Sequence, residues 1–218
     1  MSRLRYSKAH QVSNKLAVIG ASGHGKVVAD LAEELGFDVF FFDDAYPIKT
    51  NIEHWVIRGT FLDFLKHKTR YCGAVVAIGN AKIRESMFAK LQEFGVNTPT
   101  IQNPSAKVSQ YANIGDGCVI MAGVVINAFS SIGRGCILNS NSVVEHDCKL
   151  DSFVHMCPNS TVAGSTDIGK RTWVGIGSNV RQMISVGADV LIGAGSAVVN
   201  NIPAGAIVVG VPAKERKK

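Results

Sequence analysis

From Val108 to Pro203 the chain divides into sixteen consecutive six-residue units, each opening with Val, Ile, Leu or Met and none displaced by an insertion. They read VSQYAN, IGDGCV, IMAGVV, INAFSS, IGRGCI, LNSNSV, VEHDCK, LDSFVH, MCPNST, VAGSTD, IGKRTW, VGIGSN, VRQMIS, VGADVL, IGAGSA and VVNNIP. The fifth position is also restricted, to Ala, Cys, Val, Ser, Thr or Ile, and glycine recurs at the second and fourth. An amphipathic helix repeats every ~3.6 residues and a half-buried strand every two, so a period of six with two inward positions fits neither. It predicts short strands wound round an axis, each turn burying its face against the next.

The pattern ahead of the repeats is of another kind. An apolar strand, LAVIG at 16–20, leads into Ala21-Ser22-Gly23-His24-Gly25-Lys26 and then a helical pattern from Val27 to Leu35. That order presents backbone N–H groups to a phosphate at a helix N-terminus, although the glycines are spaced G-x-x-G-x-G. A second strand, Asp38 to Phe42, ends in Asp43 and Asp44, where a ribose hydroxyl is often gripped. A third, Ala74 to Ile78, ends in Gly79-Asn80 and opens a helix carrying Arg84. Three polar strand ends thus meet at one edge of a parallel sheet, where such sheets bind ligands. The unit is too short for a dinucleotide site, so a single nucleotide fits it better.

These segments set the domain plan: a flexible basic extension at 1–14, a Rossmann-like nucleotide-binding domain at 15–103, a repeat domain at 104–213 and a basic tail at 214–218. The net charge of +6 suggests nucleic acid, but basic residues cluster at the two ends, at Arg3, Arg5 and Lys8 and from Lys214 to Lys218, and a modest excess also suits phosphate-bearing ligands. No run of eighteen apolar residues and no signal-peptide core is present, which leads to the expectation of a cytoplasmic protein without membrane insertion. Cys118 and Cys136 share the fifth position three units apart and are expected to be free thiols. The five cysteines hold no Cys-x-x-Cys pair, so no metal is expected.

The repeat tract resembles the left-handed parallel β-helix of hexapeptide-repeat acyltransferases. That resemblance implies eighteen residues per triangular coil, about five coils here, and a homotrimer with active sites between subunits. With the GASGHGKV turn, the IGN at 78–80, VEHDC at 144–148 and GVPAK at 210–214, the chain looks like the sialic acid and nucleotide-sugar acetyltransferases of bacterial surface-glycan synthesis. The implied fold is a small α/β Rossmann-like N-terminal domain followed by an all-β left-handed parallel β-helix. The implied donor is acetyl-CoA, and the implied acceptor is a nucleotide sugar.

Acetyl transfer to an amine needs a base for the attacking nitrogen and a donor for the thioester oxygen. His146, at the outward third position of VEHDCK, is the candidate base, and Asp147 or Glu145 its orienting carboxylate. Gly164 lies eighteen residues on, so it is expected one coil above with its N–H open to an oxyanion. By resemblance, Asn139 lines the acceptor pocket and His155 lies near cofactor and acceptor. His155 is half a coil from His146, so the two are expected to meet only across a subunit boundary. The resemblance also puts Ile176 and Gly177 along the pantetheine arm, Gly195 and Ala213 nearer the adenine, and Arg181 or Lys214 by the phosphates. For the acceptor nucleotide it picks Gly23, His24, Asp43, Asp44, Asn80 and Arg84.

The paired Asp43-Asp44 favours a UDP-linked 4-amino-4,6-dideoxy sugar, with a sialic acid O-acetyltransferase as the alternative. A zinc carbonic anhydrase on the same helix needs three histidine ligands, and the repeats hold two. A non-catalytic binding scaffold leaves the outward histidine flanked by two acids unexplained.

Overall fold

The computed structural model describes residues 14–216, so the expected basic extension lies outside the described residues except for Asn14. The N-terminal unit runs β1 (Lys15–Ile19), α1 (Gly23–Glu34), β2 (Asp38–Phe42), a hairpin of β3 (Asn51–Ile52) and β4 (Trp55–Val56), α2 (Phe61–Lys66), β5 (Gly73–Val76) and α3 (Ala81–Glu93). β1 is central, parallel to β2 on one side and β5 on the other. Its Leu16, Ala17 and Val18 are fully buried because both sheet faces are covered, so it reads as an unbroken apolar run. Gly25 lies so close to the Gly20 carbonyl and the Phe41 ring that no side chain fits there, which brings α1 tight against the sheet.

The repeat tract forms a three-sided coil of two-residue strands in parallel register eighteen residues apart. One side stacks Ile101–Gln102, Val119–Ile120, Ile137–Leu138, His155–Met156, Trp173–Val174, Leu191–Ile192 and Ile207–Val209, and is called face A. Face B runs from Lys107–Val108 through Val143–Val144 to Ala197–Val198, and face C from Asn113–Ile114 through Lys149–Leu150 to Ser185–Val186. The coil starts earlier and ends later than the strict repeat, and makes about six turns where the sequence suggested five. Ile101, ahead of residue 104, already pairs with Val119. The basic tail at 214–218 is, in its described part, a strand: Lys214–Glu215 pairs antiparallel with Val208–Val209.

Each restricted position has its own physical cause. First positions such as Ile132, Val144 and Ile192 fill the prism interior. At the fifth, small hydroxyls and thiols hydrogen-bond a carbonyl fifteen residues ahead, in the next coil: Cys118 to Gly133, Ser130 to Glu145, Cys136 to Asp151, Cys148 to Ala163 and Thr172 to Gly187. All five cysteines are free thiols. The fourth position takes left-handed backbone, with φ between 56° and 70° from Gly117 through Gly195, so it hosts Gly and Asn but also Phe129, Phe153, Arg171 and Met183. At the second, a Cβ on Gly169 would lie 2.5 Å from the Ala188 nitrogen of the coil above.

Helix α3 fastens the two domains together. Arg84, 1% exposed, donates Nε–H to the Gly135 carbonyl, Nη1–H to those of Ile78 and Gly79, and Nη2–H to that of Phe153. Phe88 packs edge-on against Phe153. Glu85 pairs with Lys170 and Arg171.

Candidate active site

The sequence-selected residues fall into three places. The first is the turn after β1. Ser22, which precedes α1, forms no side-chain cap, so the first-turn amides at Gly23, His24 and Gly25 keep the unpaired donors of a helix N-terminus. Asp43 shapes this turn from β2, its Oδ2 accepting from Ala21 N–H at 2.7 Å and its Oδ1 from Ala45 N–H at 2.9 Å. Lys49, which the sequence reading passed over because it lies in an irregular loop, brings its ammonium to the Ala21 carbonyl at 2.7 Å.

Three expected nucleotide ligands have other work in the fold. Arg84 is interior, and its donors are directed at four backbone carbonyls; its expected role as a direct nucleotide contact is corrected to that of an interdomain clamp. Burial lowers its pKa to about 10, so it stays charged at neutral pH. Asn80 caps α3, its Oδ1 accepting from Lys82 and Ile83 N–H at 3.1 Å each. Both carboxylate oxygens of Asp43 already accept backbone amides, whereas Asp44 is exposed and makes only a 3.5 Å contact with the Phe61 amide.

The second place is a groove of about 370 Å³ at the junction of faces A and B, lined among others by Asn139, His155, Cys157, Trp173 and Ile176. Gly177 follows Ile176 at the same corner in left-handed conformation. Asn139 Oδ1 accepts from Ser140 N–H at 2.8 Å. His155 lies against Trp173, 4.2 Å between ring centroids, and 6.3 Å from the ring of His24 across the domain boundary. Trp173 sits eighteen residues after His155 in the same repeat position, so its stacking was legible in the spacing.

His24 and His155 are unusual buried groups. His24 Nε2 and both ring nitrogens of His155 lack a hydrogen-bond partner. Burial, reinforced by the Arg84 charge, lowers the His24 pKa to about 4. Burial, then the charges of Arg84 and His24, lowers that of His155 to about 3. Both are therefore neutral near pH 7 and carry unpaired polar atoms, those of His155 in the lining of the groove.

The third place is the corner between faces B and C. His146 is exposed there, with Nδ1 2.8 Å from Asp147 Oδ2. Glu145 turns away to accept from Asn127 at 2.9 Å, which leaves Asp147 as the carboxylate that orients the imidazole. Gly164 lies directly over the ring: a Cβ there would be 2.6 Å from His146 Cε1 and 2.7 Å from Nε2. Among the described residues no acceptor takes the Gly164 N–H. Within one chain His146 and the Asn139–His155–Ile176 groove occupy different corners, separated by a strand of face B.

A Rossmann-like turn joined to a six-residue-repeat coil, with an outward histidine under a glycine, defines the class of hexapeptide-repeat acyltransferases. The comparisons with known proteins narrow this class. The family model described as the PglD N-terminal domain matches residues 15–91, and that of the bacterial transferase hexapeptide (six repeats) matches 111–146. GDP-perosamine N-acetyltransferase of Escherichia coli O157:H7 is 34% identical over 219 residues, covering 94% of this chain and 97% of the relative. Perosamine N-acetyltransferase of Caulobacter crescentus, solved with CoA and GDP-perosamine, superposes with a TM-score of 0.90 at 32% identity, over 94% of this chain and 97% of that one. The acetyltransferase domain of PglB from Neisseria gonorrhoeae, solved with acetyl coenzyme A, gives 0.89 at 40% identity, over 94% and 100%. The chain belongs to the nucleotide-sugar N-acetyltransferases, and its fold is the small α/β domain followed by the left-handed β-helix of that family. Among the described residues no helix is long and apolar enough to cross a membrane, and no cluster of three or more His, Cys, Asp or Glu is placed to hold a metal.

Proposed function

We propose that the protein transfers the acetyl group of acetyl-CoA to the 4-amino group of a nucleotide-linked 4-amino-4,6-dideoxy sugar, for surface-glycan synthesis in the bacterial cytoplasm. The observation that carries this reading is the stack of Gly164 on His146 with Asp147 at 2.8 Å. Asp147 accepts from Nδ1–H, which leaves Nε2 as the basic atom. Nε2 takes the proton of the attacking amine as the new N–C bond forms, while the Gly164 N–H stabilises charge on the thioester oxygen. The C–S bond then breaks, and the sulfur leaves as the thiol of coenzyme A with the proton that His146 carried.

The working unit of this reading is a homotrimer. The acceptor groove of one subunit, with Asn139, His155 and Ile176, then faces the His146 corner of the next. The unpaired nitrogens of His24 and His155 supply hydrogen bonds to sugar or thioester, Ile176 and Gly177 line the pantetheine arm, and Gly23–Gly25 with Lys49 hold the diphosphate. The case for UDP rested on the Asp43-Asp44 pair. Asp43 is engaged by Ala21 and Ala45 N–H while Asp44 stays exposed, and the GDP of the named relatives joins UDP as the nucleotide to assay.

The test is acetyl-CoA-dependent thiol release with GDP-, UDP- and CMP-linked amino sugars and free sialic acid. Turnover of a nucleotide-linked amino sugar supports the reading. Turnover of sialic acid alone replaces it with O-acetylation, and turnover of none returns the protein to a binding role.

A further inference from the structure

The corner that carries His146 also carries an exposed aromatic pair. Tyr111, Phe129, Asp147, Ser165 and Met183 occupy the fourth position of successive coils, and hydrogen bonds tie the levels together: Asp147 N–H donates to Ala128 O at 3.1 Å and Ser165 N–H to His146 O at 2.9 Å. Phe129 therefore lies one coil, about 4.8 Å, below the His146 level, on the side opposite Gly164. Its ring stacks on Tyr111 with centroids 5.3 Å apart and planes 20° apart, yet Phe129 is 66% exposed and Tyr111 58%.

Phe129 is also costly where it stands. Its φ is +62°, a conformation that disfavours a side chain by about 1–2 kcal/mol. Phe153 adopts the same conformation at φ +63° but recovers the cost by full burial against Phe88. Among the described residues Phe129 has the Tyr111 ring against it but no comparable burial.

We propose that Phe129, backed by Tyr111, is a specificity-determining residue that receives the apolar C5-methyl side of the acceptor sugar. This rests on the acetyltransferase reading above. Gly164, above His146, is on the thioester side, so the amine must approach past the coil below. In a 4-amino-4,6-dideoxy sugar the methyl-bearing carbon adjoins the carbon that bears the amine. A sugar whose nitrogen reaches Nε2 therefore sets its methyl over the Phe129 ring, where a hydroxymethyl group would have to desolvate its hydroxyl.

The experiment is steady-state kinetics of wild type, Phe129→Leu and Phe129→Ala with a nucleotide-linked 4-amino-4,6-dideoxy sugar and its 6-hydroxy counterpart. Wild type is expected to prefer the methyl sugar by at least ~10-fold in kcat/KM, the discrimination typical of an apolar subsite. Phe129→Ala is expected to compress that preference through the acceptor KM and leave the acetyl-CoA KM unchanged, whereas Phe129→Leu keeps it. An unchanged preference in Phe129→Ala overturns the inference. So does dissociation of Phe129→Ala in light scattering, which makes the ring a subunit contact. Absence of turnover by wild type with both sugars overturns the underlying reading, and the inference with it.

Discussion

Gly164 covers the imidazole of His146 so closely that residue 164 has no room for a methyl group: the added carbon would lie 2.6 Å from Cε1 and 2.7 Å from Nε2. The two residues are eighteen apart in sequence and adjacent in space because the coil returns to the same corner every three repeats.

Gly164→Ala is therefore expected to push the imidazole aside. Its φ lies outside the left-handed region, so the backbone accepts alanine and the fold survives. Activity falls by ~100-fold or more, because both the base and the oxyanion donor are misplaced. Acetyl transfer and thermal melting, measured together, check this: a large loss of rate with a small change in Tm is the expected outcome.

Arg84→Met removes a buried cation and leaves the carbonyls of Ile78, Gly79, Gly135 and Phe153 without their donors. The expected destabilisation is about 2–4 kcal/mol, from desolvated acceptors left unpaired. Arg84→Lys recovers only part of it, since a point charge cannot serve four carbonyls in fork geometry. Urea unfolding at neutral pH measures both.

The neutral, buried His24 and His155 make stability depend on pH. Their folded pKa values, about 4 and about 3, lie below the unfolded value of 6.5. The unfolded chain thus binds more protons in this interval, and stability rises with pH across it. It is full above pH ~6.5 and is lost as pH falls from there towards 4, at up to about 1.4 kcal/mol per unit for each histidine. Melting temperatures from pH 7.5 down to 5 are expected to fall more steeply in wild type than in a His24→Gln/His155→Gln double variant.

At the fifth repeat position, Thr172 Oγ1 donates to Gly187 O at 2.8 Å and accepts from Val190 N–H at 3.2 Å. Thr172→Val keeps the shape and removes both bonds, at an expected cost of about 1 kcal/mol. Chemical denaturation of the variant against wild type gives the number.

The coil was legible because each repeat position answers to one constraint: interior volume at the first, close approach to the next coil at the second, left-handed backbone at the fourth, a small buried group at the fifth. Eighteen residues per coil, which the family resemblance implied, then placed Gly164 over His146. The N-terminal unit was legible only in outline. Its β2, Asp38–Phe42, matched residue for residue, and α1 began at Gly23, ahead of the expected Val27, because the glycines themselves form its first turn. Spacing could not show that Arg84 points into the seam between domains, since its contacts cross an interface that has no period, nor that Asp43 is held by Ala21 and Ala45, since those contacts depend on how the irregular turns after β1 and β2 fold against each other. Lys49 escaped for the same reason: its loop carries no pattern, and only the folded chain brings it to Ala21.

The most direct test of the account is product analysis by mass spectrometry of acetyl-CoA with the preferred nucleotide-linked amino sugar, using wild type and His146→Ala. The account predicts one acetyl group on the sugar nitrogen, a rate at least ~100-fold lower in His146→Ala, and unimpaired acetyl-CoA binding by that variant. A His146→Ala protein that acetylates within a few fold of wild type, or a wild type that releases thiol without acetylating the sugar, would contradict it.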